Sequence, residues 1–151
     1  MRLVLDAEAV SALISPRHPD ERRVRRALEA ARRLRREVVI ATVTLAELYR
    51  GAGRSHALDA LLARESAEGI LLRDTDRQLA RLVGALLAEA RADSALLADA
   101  HPVAVAIEAG GGMVLTADPE DLGRLAGPYR TVAIEPLGAG TRRRSGRTPP
   151  G

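Results

Sequence analysis

The segment RLVLDAEAV (residues 2–10) contains a short apolar stretch followed at once by two carboxylates, Asp6 and Glu8. Apolar residues rich in Leu and Val are typical of a buried strand, whereas an ionised carboxylate is costly to bury without a partner. A strand that ends at an acid therefore has two interpretations: Asp6 caps the following helix, or a cation lies beside it. Both interpretations place Asp6 at the carboxyl end of the first strand.

The same order of strand and then helix recurs along the chain, which predicts an α/β fold with a mainly parallel sheet. Apolar residues at every third or fourth position predict the helices, and short apolar runs between them predict the strands. The predicted strands are residues 2–5, 38–42, 69–73, 113–116 and 131–136. The predicted helices are residues 6–15, 20–36, 44–51, 55–65, 75–91, 99–109 and 118–126.

A length of 151 residues is typical of one compact domain, and the composition changes near residue 138. We expect a folded domain over residues 1–137. Residues 138–151 contain four Arg, no acid and no apolar period, which predicts a disordered basic tail. Without this tail, 19 Arg face 20 acids, so the net charge of +3 says little about the surface of the folded domain.

The residue types that the chain lacks exclude several kinds of chemistry. Without Cys there is no disulfide framework, thiolate nucleophile or cysteine metal site. Without Lys there is neither a Walker-type phosphate loop nor a Schiff-base enzyme. No run of about 18 apolar residues predicts a membrane span, and no basic leader precedes an apolar stretch. We therefore expect a cytoplasmic protein with no membrane partner.

Acidic side chains recur where the predicted strands end or where the helices after them begin. Asp6 and Asp118 each follow a predicted strand. Glu47 lies one turn into the helix after the second strand, and Asp99 begins a later helix. Because ligand sites of parallel α/β sheets lie beyond the carboxyl ends of the strands, we expect these acids to converge there.

Three of these four acids also have a structural interpretation. Asp6, Asp99 and Asp118 all suit a helix N-cap, whereas the short helix that contains Glu47 has little other polar surface. Brought together, the carboxylates would repel one another unless a hard cation such as Mg²⁺ or Mn²⁺ bound them. A metal on carboxylates is a common route to phosphodiester hydrolysis, and it requires neither Cys nor Lys.

Four segments resemble, in order, the acidic motifs of PIN-domain ribonucleases, and especially the VapC-like toxins of VapBC toxin–antitoxin pairs. These segments are VLDAEAV, TLAELYRG, ADAHPVAVA and VLTADPEDL, and the resemblance covers about residues 2–136. It implies a PIN-like three-layer α/β/α fold and cleavage of an RNA substrate with Mg²⁺ or Mn²⁺. It also implies a homodimer and a cognate antitoxin protein that covers the acidic site.

Carried over position by position, the resemblance implies roles for particular residues. The catalytic, metal-binding acids fall on Asp6, Glu47, Asp99 and Asp118. Thr116 matches a hydroxyl residue that often precedes the last acid, and Asp121 matches a second acid often seen there. One position departs from the pattern, because Leu96 stands where related motifs often have a further acid.

An acidic site that binds RNA also needs basic side chains for the phosphates. Arg50 and Arg54 flank the sequence GAG shortly after Glu47, which makes them candidates for RNA binding. Eight Arg and four acids lie between residues 20 and 37. This pattern fits a solvated helix face and a phosphate-binding face about equally well.

Other functions stay open at the level of sequence. A PIN-like domain that only binds or regulates a partner would have the same acids without catalysis. A phosphoaspartate enzyme, such as a receiver or a phosphatase like the haloacid dehalogenases, would use Asp6 as its nucleophile, but such proteins normally use a Lys that this chain lacks. A nucleotide-binding module is disfavoured, because neither GAGRS nor GGG follows a strand and opens a helix.

Overall fold

The computed structural model describes residues 1–66 and 69–138 as one α/β domain. A single five-stranded parallel sheet lies between two layers of helices in these residues, so the predicted fold class is confirmed. Apart from Gly138, the predicted disordered tail lies outside the described residues. No helix in the described ranges is long and apolar enough to cross a membrane.

Strands and helices alternate through most of the chain. The strands are β1 (Arg2–Leu5), β2 (Glu37–Ala41), β3 (Ile70–Arg73), β4 (Gly112–Thr116) and β5 (Val132–Pro136). The helices are α1 (Ala7–Ile14), α2 (Glu21–Arg33), α3 (Thr42–Leu48), α4 (Ala52–Ser66), α5 (Arg77–Glu89), α6 (Leu97–Glu108) and α7 (Pro119–Ala126). A 3-10 turn, Ser94–Leu96, directly precedes α6.

Alternate residues of the strands face the two helix layers. Leu3 and Leu5 of β1 pack with α1 to α4, whereas Val4 packs with α5 to α7. This alternation follows from the two-residue period of a strand, and both faces are apolar because helices cover both. The core consists of Leu, Val, Ile and Ala, since the chain has only two aromatic residues.

The strand order β3-β2-β1-β4-β5 places a topological switch between β1 and β4. From β1 the chain builds β2 and β3 on one side, and it then returns to build β4 and β5 on the other. The connections that leave β1 and β4 therefore diverge, which leaves a crevice beyond the carboxyl ends of these two strands. Asp6 directly follows β1, and Ala117 and Asp118 directly follow β4.

The expectation that Asp99 suits an N-cap is wrong. Helix α6 begins at Leu97, so Asp99 lies within its first turn rather than before it. The preceding 3-10 turn starts the helical geometry early, and Asp93 caps that turn by accepting a hydrogen bond from the backbone N–H of Ala95.

Three other helices also start two or more residues from the predicted position, and one of them is α5, which begins at Arg77 rather than Thr75. Helix α3 begins at Thr42 rather than Thr44, and α4 begins at Ala52 rather than Ser55. No side-chain cap marks the start of α3. Gly51 has a φ of 83°, a conformation that glycine adopts readily, and the chain turns there between α3 and α4.

Candidate active site

One cavity at the carboxyl end of the sheet is lined by all four predicted acids, and it has a volume of about 180 Å³. Asp6 follows β1 and Asp118 precedes α7, while Glu47 comes from the last turn of α3 and Asp99 from the first turn of α6. The cavity therefore draws its carboxylates from both helix layers and from the switch between β1 and β4.

Asp6 is the most buried of the four acids, with an exposed fraction of 7%. Its Oδ1 accepts a hydrogen bond from the backbone N–H of Ala9 at 2.9 Å, which caps α1. Its Oδ2 accepts another from the backbone N–H of Ala117 at 3.1 Å, which joins the ends of β1 and β4. The structural and the functional interpretation of Asp6 are thus compatible, because the same carboxylate caps a helix and lines the cavity.

Thr116 lies fully buried beneath the cavity and links two of its acids. Its hydroxyl oxygen accepts a hydrogen bond from the backbone N–H of Asp118 at 2.9 Å, and the hydroxyl also bonds to the carboxylate of Asp6. Asp118 occupies the N-cap position of α7, yet its side chain makes no capping bond. Its carboxylate is therefore not committed to the helix and lines the cavity.

Burial and, after it, the charges of nearby acids together raise the pKa of Asp99 from 3.8 to about 6. In order of effect these acids are Asp118, Glu47, Asp121 and Asp6. Carboxylates that raise one another's pKa lie close enough to interact through space. Asp121, in the first turn of α7, thus contributes to the potential in the cavity without lining it.

The same effects act on two further acids. Burial raises the pKa of Asp6, and the charge of Asp118 adds to the increase against the opposing effect of hydrogen bonds. Burial also raises the pKa of Glu47, with further contributions from Asp6 and Asp118, while the nearby Arg50 lowers it. Negative charge in the cavity is therefore only partly balanced by the side chains around it.

The two candidate RNA-binding residues differ in their surroundings. Arg50 is exposed and lies close enough to Glu47 to affect its pKa. Arg54 instead donates a hydrogen bond from Nη2 to Oγ of Ser11 at 2.9 Å, which ties its guanidinium to α1. Neither guanidinium lines the cavity itself.

Sequence reasoning missed Thr44 and left Glu8 undecided, although both line the cavity. Thr44 lies three residues before Glu47, a spacing that places two side chains on one helix face and could have revealed it. Glu8 lies two residues after Asp6, in the first turn of α1.

His18 holds Glu8 in place, with 2.9 Å between Nε2 and Oε1. The other ring nitrogen, Nδ1, accepts a hydrogen bond from the backbone N–H of Asp20. A neutral imidazole has one donor and one acceptor, so this network assigns the hydrogen to Nε2, which donates to Glu8. No local sequence pattern connects His18 with Glu8, because the contact depends on how the loop between α1 and α2 folds back.

The donor set of the cavity fits a hard divalent cation. Carboxylate oxygens are the ligands that Mg²⁺ and Mn²⁺ prefer, and a cation would reverse the raised pKa values. In the present arrangement, no three His, Cys, Asp or Glu side chains of the described residues are close enough together to hold one ion. Metal binding would therefore require carboxylate side chains to rotate toward a common point.

Both the sequence and the fold of the chain are similar to those of known proteins. A family model described as the PIN domain matches residues 3–128, a range that includes all four acids. The fold is similar to a chain of VapBC2 from Rickettsia felis, crystallised with a promoter DNA fragment, with a TM-score of 0.62, 16% identity and coverage of 91% of this chain and 100% of that one. It is also similar to a chain of a toxin–antitoxin complex from Klebsiella pneumoniae, with a TM-score of 0.60 and 21% identity. That match covers 87% of this chain and 95% of the other. No curated protein matches the chain.

Proposed function

The chain belongs to the PIN domain family, and on this basis we propose that it is a metal-dependent endoribonuclease and the toxin of a toxin–antitoxin pair. PIN domains are generally nucleases. The observation that carries the proposal is the convergence of four carboxylates on one cavity at the switch between β1 and β4. An electronegative cavity of this kind suits a divalent cation and, through it, the phosphodiester of RNA.

The proposed metal ligands are Asp6, Glu47, Asp99 and Asp118. Bound Mg²⁺ or Mn²⁺ supplies a water of lowered pKa and stabilises negative charge on the phosphoryl oxygens. The chain's own part is to hold the carboxylates in position. Thr116 does so for two of them, through the carboxylate of Asp6 and the backbone of Asp118.

Basic residues at the edge of the cavity are proposed to hold the RNA. Arg50 is the better placed candidate, because it is exposed and close to Glu47. Arg54 donates one of its five guanidinium N–H groups to Ser11, so its side chain is held against α1 and is less free to reach a phosphate. Binding of this kind is electrostatic, so it weakens as the salt concentration rises.

The proposed protein partner is a cognate antitoxin that covers the acidic cavity. Both similar solved structures come from toxin–antitoxin complexes, which supports this part of the proposal. A homodimer and a location in the cytoplasm, where the RNA substrate occurs, stay predictions.

Two other functions are weighed against this proposal. A phosphoaspartate enzyme with Asp6 as its nucleophile would normally use a Lys to neutralise the phosphate, and this chain has no Lys. A PIN-like domain that only binds would have the same cavity but would not cleave RNA. An activity assay therefore separates the nuclease from the binding domain.

The test incubates purified protein with total RNA in Mg²⁺, in Mn²⁺ and in EDTA. We expect cleavage with either metal and none with EDTA. Asp99→Asn should lower the rate more than about 100-fold, because it removes one charged ligand and leaves the shape of the side chain unchanged. Cleavage that persists in EDTA, or an Asp99→Asn protein as active as wild type, would contradict the proposal.

A matched control is available in Asp76, an acid that does not line the cavity. Asp76 caps α5 by accepting a hydrogen bond from the backbone N–H of Leu79 at 2.8 Å. Asn caps a helix about as well as Asp, so Asp76→Asn should leave the activity unchanged. Asp6→Asn should abolish the activity, but it is a less clean test, because an amide cannot accept the hydrogen bonds of both Ala9 and Ala117 through oxygen.

A further inference from the structure

Helix α2 has one apolar face and one face rich in arginine. Val24, Leu28 and Ala31 are buried against the sheet. The exposed residues of α2 are Arg22, Arg25, Arg26, Glu29, Arg32 and Arg33. Five of these six side chains are basic, so the outer surface of the helix is strongly positive.

Three of these arginines form no ion pair within the described residues. They are Arg22, Arg26 and Arg33, whereas Arg25 pairs with Glu21 at 3.1 Å. The three are four and seven residues apart, spacings that place them along one side of a helix. We name this set, Arg22, Arg26 and Arg33, the arginine stripe.

The arginine stripe begins close to the acidic cavity. A cleft of about 390 Å³ shares Glu8 and Ala117 with the cavity and extends to Asp20, the residue before α2. From there the 13 residues of α2 extend for about 20 Å at 1.5 Å each. An RNA strand that leaves the cavity over this cleft would meet Arg22 first and then the other two arginines.

We propose that the arginine stripe binds the phosphates of the RNA segment next to the cleavage site. This inference rests on the proposed function for its substrate and adds a second contact surface to it. The cleft contains Glu8 and Asp20, so the phosphates lie on the stripe rather than inside the cleft. A face that is only solvated is usually laced with ion pairs, whereas Glu29, the one exposed acid of α2, makes no ion pair with Arg22, Arg26 or Arg33.

The experiment measures RNA binding separately from cleavage. A fluorescently labelled single-stranded RNA oligonucleotide of mixed sequence is titrated with Asp99→Asn protein in Mg²⁺ at several salt concentrations. The double change Arg22→Gln with Arg26→Gln should weaken binding about tenfold near physiological salt. It should also reduce the slope of log K against log salt by about 1.4, since each phosphate contact on a single strand contributes about 0.7.

The control is the double change Arg77→Gln with Arg81→Gln on α5, in the other helix layer. Both arginines are exposed and four residues apart, and they make no ion pair within the described residues. Their removal changes the net charge equally and should leave the slope unchanged. Glutamine preserves helix propensity, and each double change removes one pair of like charges four residues apart, so the two double variants should have similar melting temperatures.

Two outcomes would overturn the inference. Equal weakening by the α2 and α5 double variants would indicate an effect of net charge alone, and unchanged binding by the α2 variant would indicate a solvated face. The outcome for the nuclease proposal is independent of these results. Weaker RNA binding by the α2 variant, together with no cleavage by wild type, would support the stripe and reject the nuclease.

Discussion

The acids of the cavity differ in how much the fold itself requires them. Asp6 accepts two backbone hydrogen bonds and one from Thr116, so its charge is partly compensated within the protein. Asp99 accepts no hydrogen bond from a residue that the structure describes, and burial and neighbouring carboxylates raise its pKa. Its protonation therefore reports the potential of the cavity more directly than that of any other acid there.

A pH dependence follows from the raised pKa of Asp99. Its pKa is about 6 in the folded protein against an ordinary value of 3.8, so between these values the folded state binds more protons than the unfolded state. Stability then falls as the pH rises through this window. In EDTA near pH 4, the Asp99→Asn variant should have the same melting temperature as wild type. Near pH 7 its melting temperature should be higher than that of wild type, as measured by circular dichroism.

Wild type and the Asp99→Asn variant also provide a test of metal binding. A ligand that binds only the folded state raises the melting temperature, so Mn²⁺ near pH 7 should stabilise wild type. It should stabilise Asp99→Asn much less, because that variant lacks a charged ligand. If the difference in melting temperature between the two proteins is the same at every pH, with or without Mn²⁺, the result would argue against a shared electronegative metal site.

At this scale, sequence reasoning could place side chains whose position depends on the local chain. Asp6, Asp99 and Asp118 each lie next to a strand end or a helix start, and Glu47 lies on the short helix that directly follows β2. The metal-binding role of these acids stays a prediction.

The contact of His18 with Glu8 and the bond of Arg54 to Ser11 could not be predicted in this way, because both join residues of separate elements. Side-chain direction in such contacts depends on the packing of helices, which no local pattern encodes.

At the scale of elements, the turn from α6 into β4 depends on glycine. Gly111 has a φ of 132°, in the region that favours glycine. Gly112 pairs with Arg2 of β1, and a Cβ placed on it would collide with the backbone carbonyl of Arg2. The close approach of β4 to β1, which brings Asp6 beside Asp118, therefore requires a residue without a side chain.

This close approach predicts opposite effects for two glycine substitutions. Gly112→Ala should lower the free energy of unfolding by about 2 kcal/mol or more, because the backbone must move to admit the methyl group. Gly84→Ala on α5 is the control, since no atom lies within 4 Å of the added carbon. That change should raise stability by about 0.5–1 kcal/mol through helix propensity. Urea unfolding measures both, and equal effects would contradict the proposed role of the β1–β4 contact.

The start of α7 could be predicted to within one residue, because Pro119 stands at the first position of the helix, which proline favours. The start of α5 was predicted two residues too early, although Asp76 caps this helix. The start of α3 was misjudged because its N-cap is Ala41, which offers no side-chain bond. The chain passes from β2 into α3 with neither a glycine nor a polar cap to signal the change.

At the scale of the whole molecule, the sequence predicts more of the fold class than of the strand order. Alternating strands and helices imply a parallel sheet, and in such a sheet all carboxyl ends lie at one edge. A shared cavity requires more, namely that β1 and β4 are neighbours. These two strands become adjacent because the chain returns through α5 and α6 before it forms β4, and no local feature of the sequence specifies this pairing.

The last prediction concerns where the folded domain ends. Leu137 is 9% exposed and packs in the core beside α1 to α4. Its backbone N–H donates a hydrogen bond to the carbonyl of Thr116 at 2.7 Å, so it belongs to the domain. Residues 139–151 lack large apolar side chains that could be buried, so we propose that they are dispensable for folding.

Two truncations test this boundary by thermal melting. Deletion of residues 139–151 should leave the melting temperature unchanged. Deletion from Leu137 onward should cost about 2 kcal/mol for the lost burial of one leucine, which corresponds to roughly 5 °C for a domain of this size. A large decrease for the shorter deletion would mean that the basic tail packs on the domain. If neither deletion has an effect, Leu137 contributes little, and the last stabilising contacts of the domain lie within β5.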